Sequence, residues 1–70
     1  MNYQEFIDHW RGELWSECMP RALPDVLKRA KEAAKNMRRA GLCTVAERDE
    51  AIKQLTDYCD RRKAEVKRAA

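Results

Sequence analysis

The sequence predicts an all-α fold: a small three-helix bundle, or a helical hairpin with a docked N-terminal helix, whose C-terminal helix is the longest. Three observations predict it. Two glycines and two prolines are all the punctuation in 70 residues, too few for a chain of short strands and tight turns. Ala, Glu, Lys, Arg and Leu dominate the composition, as they do in helical proteins. The larger apolar residues recur at helical spacing and include two tryptophans, which separates this charge-rich chain from a disordered one.

The first helix is expected over about 2–18. Asn2 can accept from the backbone of the first turn, Glu5 three residues on completes a capping box, and Pro20 stops the helix. The second is expected over about 24–40. Pro24 suits a first turn, Asp25 complements the positive helix end, Arg38 and Arg39 complement the negative one, and Gly41 stands where a left-handed cap is wanted. The third is expected over about 45–69. Thr44 and Glu47 form a second capping box, and no breaker follows, so this helix should be roughly 35 Å long. With no linker or repeat, residues 1–70 read as a single helical domain whose consecutive helices are antiparallel neighbours.

Placed at 100° per residue, Leu23, Val26, Leu27, Ala30, Ala33, Ala34 and Met37 share one side of the second helix, opposite Lys28, Lys31, Lys35, Arg38 and Arg39. On the third helix Val45, Ile52, Leu55, Cys59 and Val66 form a stripe flanked by Ala51, Tyr58 and Ala69. Arg48 and Arg62 fall inside that stripe. Arg62 interrupts it where the third helix should outrun its neighbours, so the core is expected to end near Cys59 and the segment from Asp60 onward to overhang. On the first helix Tyr3, Phe6, Ile7, Trp10, Leu14 and Cys18 share a face. Trp15 does not; it lies on another side, near Asp8, Arg11, Gly12 and Met19.

These features bound function. A chain of 70 residues leaves no room for a barrel or a doubly wound sheet with a cleft. The catalytic inventory is thin. His9 has Glu5 and Glu13 one turn away on either side, the spacing of a surface ion pair, and Ser16, Thr44 and Thr56 stand in no nucleophile motif. Cys18, Cys43 and Cys59 are too widely spaced for a zinc site and odd in number for a disulfide framework. No enzyme, cofactor or metal is expected. No apolar run is long enough to cross a membrane and no basic-then-apolar leader opens the chain, so a cytoplasmic location is expected.

Net charge is only +3, but it is localised: residues 1–22 carry two basic against four acidic side chains, and residues 23–43 carry six against two. Helix-turn-helix readout by Met37–Leu55, with Gly41 in the turn, is disfavoured. Glu47, Asp49 and Glu50 would stand against the phosphates at the start of the recognition helix.

In size, in its lack of catalytic residues and in its two exposed-looking features, the chain resembles small accessory proteins of phages and mobile elements. The expectation is a small protein-binding module, an adaptor or inhibitor of a larger protein machine, that also self-associates as a homodimer or higher homo-oligomer. Its contact patch would be Arg11, Gly12, Trp15 and Met19, since tryptophan and arginine are enriched at interface hot spots. The alternative is nucleic-acid binding, or capture of an acidic partner, through Lys28, Lys31, Lys35, Arg38, Arg39, Arg61, Arg62, Lys63, Lys67 and Arg68.

Overall fold

A computed structural model describes residues 2–69. Within them the chain forms α1 (Tyr3–Ser16), a short 3-10 turn (Pro20–Ala22), α2 (Leu23–Arg39) and α3 (Val45–Ala69), with no strand among the described residues. Both capping boxes form. The Asn2 side chain accepts from the Glu5 amide at 2.8 Å, and Thr44 Oγ1 accepts from the Glu47 amide at 3.1 Å; each Glu reaches back to the capping residue's own amide. Gly41 adopts φ 75°, and the amides of Gly41 and Leu42 donate to the carbonyls of Arg38 and Met37. That pair of bonds is a Schellman cap, and it needs a residue without a Cβ penalty at Gly41.

Two boundaries differ from the sequence expectation. α1 stops at Ser16 rather than Cys18. Ser16 Oγ donates to the Gly12 carbonyl at 2.8 Å, Glu17 turns extended, and its carboxylate accepts from the Met19 amide at 3.0 Å. The proline had set only an outer limit. The chain then enters the 3-10 turn at Pro20 and runs straight on into α2, which begins one residue before Pro24 and has no side-chain cap.

α1 and α3 run parallel, with α2 antiparallel between them in sequence. Arg11 lies over Tyr58, and Trp15 lies under Arg62 one turn further along, so the register is fixed. The core is Phe6, Ile7 and Leu14 from α1, Leu23, Val26, Leu27, Ala30 and Ala34 from α2, and Ala51, Leu55 and Cys59 from α3. Tyr3, Trp10, Ala33, Met37, Ile52 and Tyr58 pack against its edge. The Cys59 thiol donates to the Leu23 carbonyl at 3.8 Å, tying the middle of α3 to the start of α2.

Some expected core positions do not lie in the core. Cys18 is exposed because α1 ends before it, and Val45 is exposed because it belongs to the first turn of α3, at the end of the molecule. The Ala69 side chain lies outside the described residues. Arg48 is half-buried and ion-paired with Asp49 at 2.9 Å. The overhang also needs correction. Among the described residues none beyond Cys59 is fully buried, as expected, but Asp60, Lys63, Ala64 and Lys67 line a groove against Pro20, Arg21 and Pro24, so this stretch of α3 has the 3-10 turn beside it.

Candidate functional site

The α1–α3 side of the bundle carries a layer of aromatic rings and guanidinium groups. Arg62 is its centre. It was expected on a free overhang, but its side chain is only 17% exposed. Its Nη2 donates to the Trp15 carbonyl at 3.0 Å, its guanidinium carbon lies 4.6 Å from the Trp15 ring centroid, and Nη1 approaches Glu65 at 3.6 Å. The physical reason is at the end of α1. That helix has no basic residue in its last turn; the Cys18 thiol donates to the Ser16 carbonyl at 3.7 Å, but the negative end of the dipole meets no cation of its own helix. Arg62 supplies that cation from another helix and takes the Trp15 carbonyl. Its Nε is buried without a hydrogen-bond partner.

Trp15 is therefore a held residue and an exposed one. The residue is 59% exposed, while Arg62 bonds its carbonyl and lies over one ring face. Met19, 53% exposed, follows in the extended segment after α1. Gly12 lies one turn before Ser16, and nothing stands within 4 Å of where its Cβ would be, so the patch is open there. Arg11 is exposed on the neighbouring edge, its guanidinium carbon 5.2 Å from the Tyr58 ring centroid. Of the four residues expected to form a contact patch, Arg11, Gly12 and Trp15 stand in the last turns of α1 and Met19 in the segment after it.

The basic residues are spread along the molecule, with Lys31 and Lys63 both near Cys59. Lys28, Lys35, Arg38 and Arg39 are exposed along α2 and Lys31 is half-buried; Lys35 pairs with Glu32 at 3.5 Å and Arg39 donates to Asn36 at 3.0 Å. Arg38 and Arg39 stand at the end where α3 begins, whereas Arg61–Arg68 stand where it finishes, on a molecule 41 Å long. The second group divides again. Arg61 and Arg62 face α1, Lys63 and Lys67 face the 3-10 turn, and Arg68 is exposed.

The pairing expected of His9 from spacing is replaced: His9 meets the Trp10 ring edge-on, centroids 5.1 Å apart, rather than pairing with Glu5 or Glu13. Arg61 likewise lies over the Tyr58 ring at 5.8 Å, although Asp57 stands one turn before it. A ring three residues or one residue away competes successfully with a solvated carboxylate, because exposed ion pairs are worth little.

The three cysteines sit in three environments: Cys18 exposed, Cys43 half-buried, Cys59 buried. Burial pushes the Cys59 thiol above its ordinary value, against the opposing field of Lys63. Among the described residues no three His, Cys, Asp or Glu side chains converge as a metal site would require. No helix is long and apolar enough to cross a membrane. Comparison with protein-family models, curated proteins and solved structures finds no match.

Proposed function

We propose that this chain is a small, non-enzymatic protein-binding module, an adaptor or inhibitor of a larger protein machine, which anchors its partner on Trp15. One observation carries the reading: Trp15 is exposed, yet Arg62 lies over its ring and bonds its carbonyl. A large ring already held on one face loses little side-chain freedom on binding, and such rings are the commonest anchors of interfaces. Met19 and the open backbone at Gly12 extend the same surface. Self-association through this face is part of the proposal, since a bundle with 21 large apolar side chains that leaves a tryptophan in water gains by covering it.

Trp15→Ala tests it. Far-UV circular dichroism should stay nearly unchanged and melting should fall by only the few degrees that the lost Arg62 stacking costs, while partner capture from nuclease-treated extract and self-association in sedimentation should both be lost. A large fall in melting temperature would return Trp15 to a structural role, and a monomer at micromolar concentration would remove self-association.

A second reading is nucleic-acid binding along α2, favoured by the six basic against two acidic residues of the 23–43 segment. It requires duplex affinity that falls steeply with salt; absence of binding at low salt eliminates it.

A further inference from the structure

We infer that the concavity at Tyr58, between α1 and α3, is a carboxylate site that takes the acidic face of an amphipathic helix from a protein partner. The inference rests on Trp15 being a protein-binding anchor and names the chemistry of what binds beside it.

Arg11 from α1 and Arg61 from α3 converge on one ring, their guanidinium carbons 5.2 and 5.8 Å from the Tyr58 centroid. With Gln54 and Asp57 they line a cavity of about 280 Å³. Both arginines are exposed, and neither enters an ion pair among the described residues. Acids are near by in sequence but otherwise arranged: Asp8 accepts from Gln4 at 3.0 Å, and Asp57 lines the cavity while Arg61 lies on the ring. Contact with a ring engages the guanidinium faces and leaves N–H donors for a planar, bidentate acceptor. Arg62, one turn along, differs: its donors go to the Trp15 carbonyl and Glu65.

The surroundings select a carboxylate carried by a protein over a phosphate chain. Asp57 stands in the cavity, and α1 and its exit carry Glu13 and Glu17 in a segment with four acidic against two basic residues. A nucleic-acid backbone would bring charge against these at every step; a single carboxylate meets one of them, Asp57, with two arginines and the Gln54 amide beside it. Trp15 lies one helical turn beyond Arg11, roughly 6 Å along the axis. A partner helix with an acid and a large apolar residue one turn apart therefore reaches Tyr58 and Trp15 together.

The experiment titrates the 15N-labelled full chain with two synthetic helical peptides of roughly 15 residues. One carries Glu and Leu one turn apart; the other has Gln for Glu. An oligothymidine and inorganic phosphate serve as competing probes. The Glu peptide should shift the Arg11, Tyr58 and Arg61 signals together with the Trp15 indole, and the Gln peptide should bind about tenfold more weakly, the scale of one lost charge-assisted bond. The double variant Arg11→Gln, Arg61→Gln, whose helicity is checked by circular dichroism, should bind both peptides at the weaker level. Equal binding of the two peptides, no binding of either, or preference for the oligothymidine overturns the inference. If both peptides bind equally and Trp15→Ala abolishes both, the carboxylate site falls while the Trp15 reading stands.

Discussion

α1 and α2 bring similar apolar content to the bundle and spend it differently. α2 buries Leu23, Val26, Leu27, Ala30 and Ala34, and all of its charge lies elsewhere. α1 buries Phe6, Ile7 and Leu14, leaves Tyr3 and Trp10 half covered, and sends Trp15 into solvent. Side-chain size and placement explain the contrast. Alanines let a helix lie close to its neighbours, so a narrow stripe is covered completely. The rings of α1 are set round more of its circumference, and two partner helices leave Trp15 uncovered. The lesson is that hydrophobicity on a small bundle becomes core only where its shape permits, and what is left over is where a partner can act.

The sharpest test of this contrast is Leu14→Ala, which removes the one fully buried leucine of α1. It should cost about 2–5 kcal/mol, enough to unfold most of a domain whose core supplies only ~3–5 kcal/mol, as read from urea unfolding. A cost well under 2 kcal/mol would mean that α1 is loosely docked. Next is Ala30→Leu on α2, at a fully buried position. Overpacking there should cost about 1–3 kcal/mol; a neutral result would break the claim that alanines set the close approach. Arg62→Gln should be smaller, about 0.5–1 kcal/mol from the lost stacking on Trp15, with the indole signal of Trp15 broadening as the ring is released. The smallest effect concerns Tyr3. Burial first, then the carboxylates of Glu50 and Glu47, raise its phenol above the ordinary value near 10.0. The folded state thus keeps a proton that the unfolded state gives up. The contribution of Tyr3 is complete below about pH 10 and falls as pH rises through the folded value. Wild type should lose stability above that pH slightly faster than Tyr3→Phe; identical alkaline profiles would show that the Tyr3 edge of α1 is wet.

The helices were legible in the sequence where local chemistry decides them. Asn2 with Glu5, Thr44 with Glu47, and Gly41 each act within a few residues, and each acts as expected. The buried face of α2 was legible for the same reason: its period and its charge segregation agree. What could not be read depends on distance along the chain. Arg62 donates to a carbonyl 47 residues away, and nothing in the sequence around it announces that partner. Its place in an apolar stripe did signal something unusual, although the spacing pointed to the end of the core rather than to a cap for another helix. Arg11, Arg61 and Tyr58 were separately visible as two cations and a flank residue; their convergence needed the parallel register of α1 and α3.

That parallel register has a mechanical consequence. Three helices in alternation put the start of α1 and the end of α3 at opposite poles of a body 41 Å long. Tension applied between the first turn of α1 and the last turn of α3 would load the helix seams in shear, all contacts at once, instead of peeling one helix away turn by turn. A molecule held to a surface by the last turn of α3 would also keep its tryptophan toward that surface, and one held by the first turn of α1 would present it outward.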